Sequence, residues 1–270
     1  MPVDAIFKNV LCANFLNCFS EMNIPMSSDV PLYRALSKLG YVSRTQARQI
    51  IEAGEISVNG KRCIDPEKTV SLDTSRICHN NSLVKHEQLF AIMLYKPKSV
   101  ITSRKDEQGR ATVYSFLPPE LQNLHCVGRL DWATSGLLIL TNNTLFSAWL
   151  TDPQNGVPRV YVVTVRGLMT EQQAEQMHRG IVEGKQELKS DAVVVRKSSN
   201  RESHLVMTLT EGKNREVRRL CSSVGHEVTK LKRVAYGALT LGNMAPGEYR
   251  QLNRDEIIAA FPGALRAEIL

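Results

Sequence analysis

The residues best suited to chemistry begin at Gly128-Arg129-Leu130-Asp131 and run through Trp132-Ala133-Thr134-Ser135-Gly136 into Leu137-Leu138-Ile139-Leu140. One carboxylate sits on an irregular segment between two short apolar runs. Loops held by buried strands at the mouth of a sheet are where reactive groups are commonly placed. With a reference pKa of about 3.9, Asp131 is ionised at neutral pH. It can then act as a nucleophile or offset positive charge that develops at a reacting carbon. Read on residue type alone, the same Asp also fits a turn former bonded to its own backbone.

A carboxylate held away from water drifts toward neutrality unless a cation stands near it. Cations are densest over residues 213–233, where seven Lys or Arg face two Glu. Asn214 can cap a helix over Arg215–Val224, in which Val217, Leu220, Cys221 and Val224 make the inward stripe. Arg218 falls at the edge of that stripe, one turn past Arg215, where a guanidinium can reach inward. Lys213, Arg215 and Arg219 suit phosphate contacts from a surface. Tyr161 lies in a β-branched strand, Arg159–Val165, and by itself fits a core or edge aromatic.

The elements that must position these groups divide the chain. Over 31–79, Leu32, Ala35, Leu36 and Leu39 recur at helical spacing and Gly40 stops the helix. Ser43 and Gln46 have the form of a capping box for a second helix that ends at Gly54. Ile56–Val58 and Lys61–Ile64 flank Asn59-Gly60, a strong hairpin signal. Residues 80–88 are polar and unpatterned and read as a linker, and residues 1–30 read as an extension ahead of the first module. From Leu89 to the C-terminus, strands at Leu89–Tyr95, Arg159–Val165, Asp191–Val195 and His204–Leu209 mix with helices at Glu171–His178, Arg215–Val224 and Asp255–Phe261. Strands outnumber helices without regular alternation, which favours an α+β fold over a doubly wound sheet.

A formal net charge of +7 and a pI near 9.1 favour a polyanionic partner. No run reaches the ~20 apolar residues of a membrane span. The cysteines, Cys12, Cys18, Cys63, Cys78, Cys126 and Cys221, are scattered, which predicts neither a structural metal nor a disulfide and fits a reducing, cytoplasmic setting. Gly180 to Gln186 is one residue short of a phosphate loop and has Gln where Ser or Thr would bind magnesium.

GRLD followed by Thr134-Ser135-Gly136 and an apolar strand resembles the active-site motif of the pseudouridine synthases that modify ribosomal RNA. The resemblance implies that Asp131 is the catalytic residue as a uridine loses its glycosidic bond, turns, and is rejoined through carbon. The stretch around Tyr161 resembles that family's second motif, with Arg159 where Lys is usual, which implies Arg159 as an RNA contact; there the Tyr stacks on the target uracil. An aromatic face of that kind is what an enzyme that extrudes a base requires. The Lys213–Leu220 segment resembles the third motif, whose Arg pairs with the catalytic Asp, and Arg218 is the matching position. Ser43-Arg44 and Val58-Asn59-Gly60 resemble the S-four RNA-binding module, which implies that Arg44, Arg48, Lys61 and Arg62 share an RNA-facing surface. Arg129 is a further phosphate or base contact. Departures from the pattern are Asn142-Asn143-Thr144 in place of Asn-Asp-Gly, and the bulky Trp132 beside the Asp.

The resemblance thus implies a small S-four-like module followed by a mixed, mainly antiparallel-sheet catalytic domain over 89–270. It implies a monomer that isomerises uridine in ribosomal RNA, large-subunit RNA favoured, with no cofactor, metal or membrane. One alternative is a non-catalytic RNA-binding or ribosome-assembly factor on the same fold, against which an inward carboxylate speaks. Another is a glycosidic hydrolase, which usually needs a second acid opposite the first.

Overall fold

A computed structural model describes residues 29–266 except 73, 85–87 and 185. Most of the expected N-terminal extension, residues 1–30, lies outside the described residues. Asp29 and Val30 do not belong to an extension: they open β1 (Asp29–Pro31), which pairs with β4 (Thr69–Ser71).

The first module holds α1 (Leu32–Lys38), α2 (Arg44–Glu52), β2 (Ile56–Val58), β3 (Lys61–Cys63), β5 (Ile77–His79) and β6 (Ser82–Leu83). The capping box forms: Gln46 N donates to Ser43 Oγ, and the Gln46 side chain accepts from Ser43 N. Asn59 and Gly60 both take positive φ, 51° and 79°, the backbone a two-residue hairpin requires. Leu32, Leu36, Ala47, Ile51, Ile56, Val70 and Ile77 pack as one core. Val84 joins it, and β6 pairs with β5. Part of the stretch expected as a linker is therefore strand and core, because Leu83 and Val84 extend the small sheet by one hairpin.

The second part is built on a nine-stranded sheet. Its elements are β7 (Ala91–Lys96), β8 (His125–Cys126), β9 (Ser135–Thr141), α3 (Thr144–Thr151), β10 (Arg159–Arg166), α4 (Glu171–Arg179), the hairpin β11 (Ile181–Glu183) and β12 (Gln186–Leu188), β13 (Ala192–Ser198), β14 (Glu202–Leu209), α5 (Glu216–Ser223), β15 (Val228–Tyr236), β16 (Leu239–Thr240), β17 (Tyr249–Leu252), α6 (Arg254–Ala260) and α7 (Pro262–Arg266). The order is β13-β14-β10-β15-β9-β7-β17, with β16 on β15 and β8 on β9. Among the described residues every pairing of named strands is antiparallel except β9 with β15, so the fold is α+β with a mainly antiparallel sheet.

β7 and β9 read as unbroken apolar runs because both faces of the sheet are covered. Ala91, Met93, Leu137 and Ile139 face a core with Phe146, Tyr236 and Phe261, whereas Ile92, Leu94, Leu138 and Leu140 face one with Val113, Tyr114 and Leu124. The stripe of α5, Val217, Leu220, Cys221 and Val224, packs on β10 and β14 as its spacing predicts. The parallel seam places Gly136 (φ 113°) against Arg233, where a Cβ would lie 2.1 Å from the Arg233 carbonyl oxygen. Only glycine lets the strand after the Asp131 segment enter the sheet that close to β15. Among the described residues no helix is long and apolar enough to cross a membrane.

Candidate active site

Asp131 lies on the segment between β8 and β9, half-buried. The carbonyls around it are held one after another. Thr102 Oγ1 donates to Leu130 O (2.8 Å), Thr134 N to Asp131 O (3.0 Å), and Ser99 N to Trp132 O (2.8 Å). Arg218 Nη2 donates to Ala133 O (3.3 Å) and Lys96 Nζ to Thr134 O (2.7 Å). Five consecutive peptide oxygens, residues 130 to 134, thus have donors. The buried Leu130 side chain pins the segment from below. A turn fixed at every carbonyl presents its carboxylate in one place, which is what a preorganised reactive group needs.

Two cations act on Asp131 without bonding its carboxylate. Lys96 ends the apolar β7 and is fully buried; its ammonium also donates to Pro97 O (3.0 Å). Burial pushes it down to about 8, and the Asp131 charge opposes that shift. Arg218, on α5, donates from Nη1 to Val228 O (3.1 Å). Burial lowers its affinity for the proton, Arg215 adds to that, and Asp131 opposes both. The expected Asp–Arg pairing therefore takes another form. The guanidinium bonds the Asp131 turn through Ala133 O and supplies its charge at longer range.

Asp131, Arg218 and Tyr161 line one cavity of about 390 Å³, together with Arg129, Lys213, Glu216 and Arg233 among others. That size lies within the range of small-ligand sites. Tyr161 is half-buried on β10, opposite Arg233 of β15 across a bulge. Among the described residues, buried side-chain polar atoms without a partner are Thr134 Oγ1, Glu216 Oε1, Arg218 Nε, Arg233 Nη2 and His226 Nε2. The first four belong to residues that line this cavity. Each such atom costs about 1–3 kcal/mol when left unbonded. Their concentration around one cavity marks a place where polar recognition has been favoured over stability.

The other expected contacts separate. Arg129 and Arg215 are exposed at the cavity's edge. Arg215 precedes α5 in a left-handed conformation (φ 50°) and Asn214 is not the cap; the turn is closed by Lys213 N donating to Glu216 Oε2 (3.1 Å). Burial raises the Glu216 carboxyl above its usual range. Arg159 lines the same cavity, but its guanidinium is taken up by bonds within the protein. It is 4% exposed, donates to Thr210 O, Glu211 O, Leu150 O and Tyr236 Oη, and lies over the Tyr236 ring. Its register on β10 points it inward, where it ties the Glu211 segment to α3. Lys213 pairs with Glu211 and donates to Glu187 O (2.7 Å), while Arg219 pairs with Glu183 and donates to Gln186 (3.0 Å). Both fasten α5 and the segment before it to the β11–β12 hairpin.

In the first module Arg44 and Lys61 are exposed. Arg48 pairs with Glu67 (2.6 Å) over the Tyr33 ring. Arg62 donates to Gly54 O (2.9 Å) and Ala53 O (3.1 Å), capping the end of α2. Its guanidinium is therefore a helix cap first, so two of these four cations already serve the protein.

Lys96, Arg233 and Glu216 escaped the reading of the chain. For Lys96 the signal was a lysine closing a wholly apolar strand before Pro97, since unpaired buried lysines are rare. For Arg233 it was a cation at an inward position of β15, between Leu231 and Ala235.

A carboxylate on a fixed turn, inward cations and an aromatic side chain thus line one cavity, and a small basic module precedes the domain that holds it. Comparison with known proteins bears on the same arrangement. The family model for RNA pseudouridylate synthase matches residues 91–223, and that for the S4 domain matches residues 30–74. The chain is 34% identical over 229 residues to ribosomal large subunit pseudouridine synthase B of Bacillus subtilis (strain 168), covering 84% of this chain and 93% of that protein. It is 33% identical over 236 residues to the protein of the same name from Vibrio cholerae serotype O1, covering 84% and 72%. A crystal structure of a pseudouridylate synthase superposes with a TM-score of 0.61 at 27% identity, covering 84% of this chain and 98% of that one. The chain belongs to the RNA pseudouridylate synthase family.

Proposed function

We propose that this protein isomerises one or a few uridines of large-subunit ribosomal RNA to pseudouridine, with Asp131 as nucleophile. The glycosidic bond from N1 to the sugar carbon breaks, the uracil turns, and a bond from C5 to the same carbon forms. The proton lost from C5 is balanced by one gained at N1. The Asp131 carboxylate attacks and offsets positive character as the first bond breaks. Tyr161 stacks on the extruded uracil. Arg218 holds the Asp131 turn and keeps positive charge near the carboxylate.

The single observation carrying this reading is the Asp131 turn, bonded at five successive carbonyls and opening onto the cavity that Tyr161 and Arg218 line. The S4 module, Asp29 to Val84, anchors the RNA through exposed cations such as Arg44 and Lys61, and the sheet domain from Leu89 performs the chemistry. Isomerisation conserves every atom of the uridine and involves no net redox change, so the reaction calls for no cofactor. The large-subunit preference follows the names of the relatives, and an enzyme working on ribosomal RNA in a reducing compartment fits a cytoplasmic monomer. The test is to map pseudouridines in ribosomal RNA from cells with and without the gene, then to restore the missing one with purified protein on a transcript. Identical maps in the two cell types would refute the assignment.

A further inference from the structure

The residue after Asp131 is a tryptophan whose backbone is fixed and whose side chain is not enclosed. Trp132 O accepts from Ser99 N, and its neighbours Asp131 O and Ala133 O accept from Thr134 N and Arg218. Its side chain is nonetheless 50% exposed, a large apolar surface to leave in water. Asp131 and Thr134 line the cavity, but Trp132 does not. It therefore stands on the rim, on the same turn as the reacting carboxylate. The exposed side chains of Lys98 and Arg129 belong to the adjoining turns. An exposed aromatic face on a turn that also carries exposed cations matches a nucleobase attached to phosphates.

Resting on the reading of this chain as an RNA pseudouridine synthase, we infer that Trp132 is a stacking platform for a nucleotide adjacent to the target uridine, and that it helps select the site modified. The target base enters the cavity and so cannot be the one that meets Trp132. A base still joined to it through one phosphate lies at the rim. Stacking accepts any base but favours purines, whose larger faces overlap the indole more. The platform thus biases site choice by the size of the neighbour rather than by hydrogen bonds.

The test uses the full-length protein and a synthetic RNA hairpin spanning the mapped target uridine. Two versions carry 2-aminopurine, one on the 5′ side of that uridine and one on the 3′ side. On binding, wild type is expected to quench the emission on one of the two sides. Trp132→Phe, which keeps an aromatic face, retains most of the quenching and affinity. Trp132→Leu, with circular dichroism as the folding control, loses the quenching. Its affinity falls roughly five- to one-hundred-fold, more than its single-turnover rate at saturating enzyme. Quenching on neither side, or equal quenching and affinity for Leu and Trp, overturns the inference. A wild-type protein that makes no pseudouridine in the hairpin overturns the functional reading instead, so the two failures are distinguishable.

Discussion

Lys96 Nζ lies 2.7 Å from the carbonyl oxygen of Thr134, so a fully buried ammonium at the end of β7 closes the turn that carries Asp131. The same ammonium feels the carboxylate electrostatically. One cation thereby fixes the backbone of the Asp131 turn and places positive charge beside it. Arg218 does the same from the other side, through Ala133 O.

The Lys96 pKa of about 8 in the fold, against 10.5 when unfolded, predicts a pH signature. Below pH 8 both states carry the proton, and the cost of burying the charge is present in full. Between pH 8 and 10.5 only the unfolded state holds it, so this group makes stability rise with pH. The stability of wild type relative to Lys96→Met should therefore increase from pH 8 to 10. Urea unfolding of both proteins across that range measures it, and a flat difference would show that Lys96 is not depressed by burial.

Arg218→Ala is expected to lower single-turnover activity by more than about a hundredfold, through loss of two charge-assisted hydrogen bonds worth roughly 1.5–3 kcal/mol each. Arg215→Ala removes an exposed cation and should cost far less. Arg218→Lys should not rescue, because an ammonium lacks the planar fork that reaches Val228 O and Ala133 O together. Equal losses at positions 215 and 218 would show that Arg218 has no special part in holding the Asp131 turn.

Arg159 and Arg129 should behave as opposites. Arg159→Ala removes the guanidinium that donates to Thr210 O and Glu211 O and leaves Leu150 O with only the Tyr236 hydroxyl, and thermal unfolding should show a loss of several kcal/mol. Arg129→Ala should leave the melting temperature alone and flatten the log–log salt dependence of RNA affinity by nearly one unit. A changed salt slope with unchanged stability for Arg159→Ala would restore it as an RNA contact.

Tyr161→Leu is expected to weaken the reaction by the worth of one stacked base, about 1–3 kcal/mol. Tyr161→Phe keeps the face and isolates the hydroxyl. Single-turnover rates and affinities for the three proteins decide between them. If Leu matches Tyr, the residue is only core packing.

Local devices were legible in the chain because their causes are local. The Asn59-Gly60 turn, the Ser43–Gln46 capping box and the α5 stripe each depend on residues within seven positions. Of what holds the Asp131 turn, Arg218 was legible but Lys96, Ser99 and Thr102 were not. These three lie up to 35 residues from Asp131 in the chain, and only the fold brings them together. Which basic residues face outward was equally hidden. Arg159, Arg62, Lys213 and Arg219 differ from Arg129 and Arg44 in partners, not in type. The small hairpin that receives Lys213 and Arg219 grew from the stretch resembling a phosphate loop, where Gly184 (φ 62°) makes the turn.

The most direct measurement is pseudouridine yield on transcribed large-subunit ribosomal RNA with Asp131→Asn. An amide preserves the shape of the turn, whose five carbonyl bonds do not involve the side chain, but it cannot act as the nucleophile. The predicted result is a protein with the wild-type circular dichroism spectrum that binds the RNA and forms no pseudouridine. Normal yield from the folded variant would contradict the account.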